Sequence, residues 1–435
     1  MQDSLHLLRK RRFLPLFVTQ FLGAFNDNLF RTSMVLLVIY GIYRSEAQEA
    51  TFSAIAGGLF IAPFFLLSAL SGQLADAMDK ARIVRWVKTA EIVIMLFGAT
   101  GLLLHNVPLL LAALTAMGVH STFLGPIKYA ILPQHLDGDE VLGGTGLIEA
   151  STYIGILGGT IVGGLLVFQT AGGQWDARWA AATVLAVALV GRVAGGMVPP
   201  ARPAPDAPVP EMDWHIVRSS IALVNGTLHI PRLFLAIVSI SFFWAMGAIL
   251  AAQFPPLVKN VLGANQTVAT LFLAIFSVGV ATGSVMINRL LGGRVLALYA
   301  PASAIAMGLF VIHLYWNVHN WPAPGTQMMD LAAFAGTQRG KWVMFDLFGV
   351  AVSGGMFVVP LYAFLTTTVP KSQTARTVAA NNIVNSGAMV LSAIILTGLI
   401  HLGVSVAETL LMVSVMSLGA AWLGWRLHLA CDPHG

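Results

Sequence analysis

Gln20-Phe-Leu-Gly-Ala-Phe-Asn26-Asp27-Asn28-Leu-Phe-Arg31 sits inside the first apolar segment of the chain, which runs from about Phe13 to Tyr43. A segment of that length crosses a bilayer, for which about 20 residues suffice. An aspartate and an arginine near the centre of such a span cost about 2.5–3.5 kcal/mol each on insertion scales, so they face a cavity or a partner rather than lipid. The stretch therefore predicts a membrane protein with a polar interior, and a polar interior is what a transporter needs.

The composition agrees. The 435 residues are 57% hydrophobic and 10% charged, with a mean hydropathy of +0.79. Soluble domains carry about 25% charged residues, so an ordinary soluble fold is excluded. The length accommodates about twelve spans of 20 residues with short loops. A net charge of +5 raises nucleic acid as a partner, but the basic residues lie in loops between apolar segments rather than on one soluble face. The positive-inside rule accounts for them better, and no nucleic-acid partner is expected. The single cysteine, Cys431, rules out a disulfide framework or a cysteine metal site within one chain. The histidines are scattered without HExxH or paired spacing, and none is followed by Asp five residues on, so the His-x4-Asp signature of glycerolipid acyltransferases is missing. No nucleophile–base pair emerges, so an enzyme is not expected. Arg9-Lys-Arg-Arg12 resembles the charged start of a signal peptide, but the apolar stretch after it is too long and lacks a small-residue cleavage site. The expectation is a retained first helix whose N-terminus is cytoplasmic.

Apolar segments fall at about 13–43, 51–74, 83–104, 107–134, 141–170 and 177–198, then 231–262, 266–290, 294–316, 341–369, 375–402 and 405–429. Between the two sets lies Pro199-Pro-Ala-Arg-Pro-Ala-Pro-Asp-Ala-Pro-Val-Pro210, which resists helix formation and acts as a semi-rigid spacer. The mildly amphipathic segment 211–230 is expected along the membrane surface, and the long loop near 317–340 has room for a surface helix. Six spans, a linker and six spans resemble the plan of the major facilitator superfamily, whose halves are parallel repeats about an axis along the membrane normal. The expected units are a bundle over 1–198, a cytoplasmic linker over 199–230 and a bundle over 231–435. With both termini inside, 17 lysines and arginines fall on the inner side and five on the outer, which supports this all-α topology of twelve membrane helices.

Several motifs carry chemistry. Gly72-Gln-Leu-Ala-Asp76-Ala-Met-Asp-Lys80-Ala-Arg82 joins the second and third helices and resembles the superfamily's signature loop. Glycine lets helix ends approach, and an acid with nearby bases can latch two halves in one state. The corresponding stretch from Gly283 to Arg294 lacks the acid, so a weaker latch is expected there. Lys128, flanked by Pro126 and Pro133, either snorkels to the interface or serves a site. Glu149 in the fifth helix requires a cation, and Lys128 and Arg31 are available. Asp27 and Arg31 share a helix face at i and i+4 and can pair, and the set Asp27, Arg31, Lys128 and Glu149 is formally neutral. Glu91 follows Lys88 by about one turn and Asp346 lies near Lys341, so both acids are expected at the membrane interface. Gly155, Gly158, Gly159, Gly163 and Gly164 form a small-residue face that permits close helix packing. Asn381-Asn382-Ile-Val-Asn385 in the eleventh helix either hydrogen-bonds a head group or holds helices together.

Taken together, residues 20–31 (QFLGAFNDNLFR), the Gly72 loop, 125–132 (GPIKYAIL), 146–152 (GLIEAST) and 379–385 (AANNIVN) resemble the bacterial lysophospholipid transporter family. The nearest likeness is to the transporter half of chains fused to an acyltransferase and an acyl-carrier-protein ligase. The resemblance implies flipping of lysophosphatidylethanolamine-type lipids to the inner leaflet of the bacterial inner membrane, followed by reacylation. It puts the family's first-helix acid on Asp27, its fourth-helix lysine on Lys128 and its fifth-helix acid on Glu149. The residues themselves add Asn28, Arg31, Asn381 and Asn385 as further binding or coupling candidates. Two departures stand out. The chain stops at Gly435, so a separate acyltransferase is the expected partner, and Asn385 replaces an acid expected in stand-alone members. No cofactor is expected; Na+ and H+ stay equally open as coupling ions. The rival readings are a proton-coupled exporter of drugs or small metabolites, and a non-transporting membrane partner of a lipid-remodelling acyltransferase.

Overall fold

A computed structural model describes residues 4–42, 46–170, 173–203, 212–322 and 328–431. Among them are twelve helices of at least 19 residues. The first six are α1 (Leu14–Leu36), α2 (Glu46–Ala77), α3 (Lys80–Leu104), α4 (Val107–Ala130), α5 (Val141–Leu165) and α6 (Arg178–Gly196). The second six are α7 (Pro231–Pro256), α8 (Gln266–Leu291), α9 (Ala300–His319), α10 (Gln338–Thr367), α11 (Thr374–His401) and α12 (Val406–Cys431). Eleven of them contain stretches long and apolar enough to cross a membrane. The exception is α1, whose 23 residues reach about 35 Å at 1.5 Å per residue but include the polar cluster. Helices suit this setting because they satisfy their own backbone groups where no water is available.

Local chemistry sets the boundaries. Asp79 caps α3 by accepting from the Ala81 amide at 3.0 Å, and Asn106 caps α4 by accepting from Leu109 at 3.0 Å. Gly292 and Gly293, at φ +60° and +81°, stop α8, and α9 begins only at Ala300. The ninth span therefore starts later than the expected residue 294, because two successive left-handed glycines and the proline at 301 displace the helix start. The segment after the proline-rich stretch forms a helix at Ile216–Leu228, and a short helix at Leu331–Gly336 occupies part of the long loop. Residues 204–211 of the linker and Arg44 lie outside the described residues.

Glycines on α5 fix the position of α1. A Cβ built on Gly155, Gly159 or Gly163 would sit 2.8, 2.1 and 2.7 Å from the carbonyl oxygens of Phe21, Phe25 and Leu29. These four-residue steps let the two backbones touch, so the polar cluster of α1 is held against α5 rather than against lipid.

The first and second sets of six meet most closely on the face that carries the α2–α3 loop, the linker and the α10–α11 turn. A Cβ on Gly72 would lie 2.7 Å from Ala379 Cβ, and one on Gly146 would lie 2.3 Å from the Ser284 oxygen. Asp76 accepts from Arg376 Nε at 2.8 Å and from the Ala375 and Arg376 amides at 3.2 and 3.3 Å. Tyr129 and Tyr362 stack with centroids 4.5 Å apart and planes 8° from parallel. These contacts close one end of the space between the two sets.

Candidate functional site

Above the Tyr129–Tyr362 stack, between the two sets of helices, is a cavity of about 370 Å³. Small-molecule sites span about 300–1,000 Å³. From α1 it is lined by Gln20, Gly23, Ala24, Asp27, Asn28 and Arg31, one stripe at helical spacing. The polar cluster is thus divided by the helix period. Asp27, Asn28 and Arg31 face the cavity, whereas Asn26 points into the first bundle. Phe60, Ile61 and Phe64 of α2 and Met389 of α11 make one flank apolar. Arg31, at the end away from the stacked tyrosines, is exposed.

The charged groups do not form the closed set expected from the sequence. Asp27 Oδ2 accepts from Ser121 Oγ at 2.7 Å, and its Oδ1 has no hydrogen-bond partner. Arg31 does not pair with Asp27: its Nη2 donates to Asn28 Oδ1 at 3.2 Å. The side chains one turn apart diverge because Asn28, three residues before Arg31, offers the nearer acceptor. Lys128 lines the cavity with its ammonium 4.8 Å from the Tyr129 ring centroid, a cation–π contact rather than an ion pair. Glu149 is buried outside the cavity lining, with neither carboxylate oxygen hydrogen-bonded.

The asparagines of α11 divide similarly. Asn381 is buried outside the lining and donates to the Tyr362 hydroxyl at 3.5 Å. Asn385 lines the cavity, accepts from Ser241 Oγ at 2.8 Å and donates to Tyr362 at 3.5 Å. Tyr362 also accepts from Trp244 Nε1 at 2.8 Å. Asn382, Ser386 and Met389 complete this wall with Asn385. Their spacing, 382, 385, 386 and 389, was the available signal that Asn382 shares the cavity face. Tyr129 lies in the 125–132 motif, whereas Trp244, Tyr362, His120 and Ser121 line the cavity without any sequence motif announcing them.

Two acids expected at the interface are buried instead. Glu91 is 1% exposed, accepts from Asn26 Nδ2 at 2.8 Å and from Lys88, and lies 3.2 Å from His120 Nε2. Three partners on three helices draw it inside, which one-helix spacing to Lys88 does not reveal. Asp346 is buried and bonded to His313 Nδ1 at 2.7 Å and Asn317 Nδ2 at 3.0 Å, both from α9, rather than to Lys341.

In the signature loop, Asp76 holds the amino end of α11 and Gly72 permits that approach. The Lys80 ammonium is buried without a hydrogen-bond partner, and Arg82 lies over the Trp86 ring at 5.0 Å. The counter-charge is Arg376, some 300 residues away. Beside the same face, the N-terminal residues Lys10, Arg12 and His6 surround Glu140. Burial pushes the Glu140 carboxyl up, but hydrogen bonds from Lys10, the Asp137 amide and His6, with the Arg12 charge, outweigh it and hold the group at about 2.

Twelve long helices around a central polar cavity, joined on one face by an acid–arginine latch, define a multi-pass membrane transporter fold. Residues 16–393 match the Major Facilitator Superfamily, and the chain belongs to it. Among curated relatives, the lysophospholipid transporter LplT of Pectobacterium carotovorum subsp. carotovorum is 26% identical over 404 residues, covering 92% of this chain and 89% of the relative. LplT of Escherichia coli O157:H7 is 25% identical over 443 residues, covering 98% and 100%. Among solved structures, the human organic anion transporter MFSD10 aligns with a TM-score of 0.72 at 12% identity, over 95% of this chain and 99% of that one. A bacterial homologue of the iron transporter ferroportin, in its outward-facing state, aligns at 0.67 and 15%, over 98% and 100%. At these identities the two structures bear on the fold alone.

Proposed function

We propose that the protein is a lysophospholipid transporter that carries lysophosphatidylethanolamine-type lipids from the outer to the inner leaflet of the bacterial cytoplasmic membrane by alternating access. The observation that carries this reading is the cavity's two-sided chemistry. Arg31, Lys128 and the open oxygen of Asp27 share it with the apolar flank of Phe60, Ile61, Phe64 and Met389. A phosphate binds Arg31 or Lys128 through charge-assisted contacts, and an ammonium binds Asp27. The acyl chain leaves along the apolar flank toward lipid. Glu149, whose carboxylate accepts no hydrogen bond and whose counter-charge is Lys128, serves as a second cation or coupling site, and Asn385 with Asn381 positions the Tyr362 side of the wall.

With the positive-inside orientation, both termini and the linker are cytoplasmic, so the closed face is the inner one and the cavity receives substrate from the outer leaflet. The working units are the bundles 1–198 and 231–435, joined by 199–230. Reacylation falls to a separate acyltransferase. The test is inward movement of labelled lysophosphatidylethanolamine into proteoliposomes. Wild type flips it well above empty liposomes, and Asp27→Asn loses at least tenfold. Absence of flipping by monodisperse wild-type protein refutes the lipid substrate and favours export of soluble molecules.

A further inference from the structure

A polar path leads from the cavity into the first bundle. His120 Nδ1 lies 3.5 Å from Ser121 Oγ, the hydroxyl that bonds Asp27, while His120 Nε2 lies 3.2 Å from Glu91 Oε2. Glu91 in turn pairs with Lys88. Space for that lysine is built in. A Cβ on Gly23, Gly191 or Gly195 would come within 3.3, 3.4 and 3.1 Å of its side chain. Lys88 and Glu91 cancel, so His120, whose side chain is 1% exposed yet touches the cavity, sits between a neutral ion pair and Asp27, whose Oδ1 is unpartnered.

The charged groups around it come from α1 (Asp27, Arg31), α3 (Lys88, Glu91) and α4 (Lys128). No titratable residue of α2 occurs between Ile55 and Gln73, and Arg192 of α6 is bonded outside to Thr89 at 2.8 Å. Imidazole is the only one of these groups whose ordinary charge change falls between pH 5 and 8. We infer that His120 is a proton-binding switch that sets the charge of the cavity and so selects between zwitterionic and anionic lysolipid head groups. With His120 neutral, Asp27, Arg31 and Lys128 give the lining a formal charge of +1. A proton taken from cavity water makes it +2 and favours a head group with a net negative charge. One added unit charge a few ångströms from the phosphate changes the preference by about tenfold.

This selectivity rests on the lysolipid reading; the proton site does not. The first arm is NMR of histidine-labelled full-length protein in nanodiscs. The signal lost in His120→Gln, or in His120→Asn if that variant folds better, passes from protonated to neutral between pH 5 and 8. A His120 ring fixed in one charge state from pH 5 to 9 overturns the switch. The second arm measures lysophosphatidylglycerol against lysophosphatidylethanolamine transport in proteoliposomes. The ratio rises about tenfold from pH 8 to pH 6 in wild type and is flat in His120→Gln. An unchanged pH dependence in that variant overturns head-group selection by His120. If neither lysolipid moves while His120 titrates, the lysolipid reading and its selectivity fall and the proton site stands.

Discussion

Replacing Asp76 with asparagine keeps its volume and removes its charge at the point where the two sets of helices are latched. The carboxylate is fully buried, and its partner Arg376 is about one-third exposed, which leaves the pair only partly screened. It accepts one side-chain and two backbone hydrogen bonds from the start of α11. A hydrogen bond to a charged group contributes about 1.5–3 kcal/mol. The asparagine oxygen can retain a neutral bond to one donor, so the net loss is about 2–3 kcal/mol, or roughly 30- to 150-fold in an equilibrium constant. The closed linker face should therefore open more often by that factor. The assay is maleimide labelling of a cysteine at Ile156, a cavity position, in vesicles that expose the linker face, after Cys431 is replaced by serine. Labelling should accelerate in Asp76→Asn, and the charge swap Asp76→Arg with Arg376→Asp should recover part of the closure. Labelling within twofold of the parent would refute the latch.

Other outcomes follow from packing and charge. Gly159→Val drives a side chain into the Phe25 carbonyl and separates α1 from α5; overpacking of this kind costs about 1–3 kcal/mol and lowers the thermal midpoint in detergent. Glu91→Gln strands a buried ammonium and destabilises by about 3–5 kcal/mol, whereas Lys88→Met combined with Glu91→Gln recovers most of the loss in the same thermal assay. Glu140, held at about 2 against an ordinary 4.5, contributes stability that is complete above pH 4.5 and disappears as pH falls toward 2. The difference in thermal midpoint between wild type and Glu140→Gln should be constant above pH 5 and shrink below it; a difference that grows on acidification would contradict the cluster around Glu140.

The fold was legible because membrane helices are coded by long runs of apolar residues, and each expected span overlaps an observed one. Even the polar interruption in α1 was informative, since Asp27 and Arg31 together call for a cavity or a partner rather than lipid. Partnerships were harder to read. Spacing along one helix placed Asp27 with Arg31 and Glu91 at the interface, but Asn28 on the same helix takes Arg31, and Asn26 and His120 reach Glu91 from positions that only the packed bundle defines. Asp76 could be recognised in its loop, whereas Arg376 has no motif to mark it. His120 looked like one of several scattered histidines because its importance comes from two acids on different helices.

The linker is pinned at both ends to the same loop. The Ala201 amide donates to Asp79 at 2.8 Å, the Lys80 amide donates to the Ala201 carbonyl at 3.1 Å, and the Asp213 amide donates to Gln73 at 2.9 Å. The chain that leaves the first bundle and the chain that enters the second are therefore each anchored to residues 73–80. A backbone cut, or a fluorescent reporter inserted between Ala204 and Glu211, leaves these anchors untouched. Two co-expressed fragments divided there are expected to keep both anchors, and co-purification of the two halves checks it, with a sensor domain mounted beside the latch.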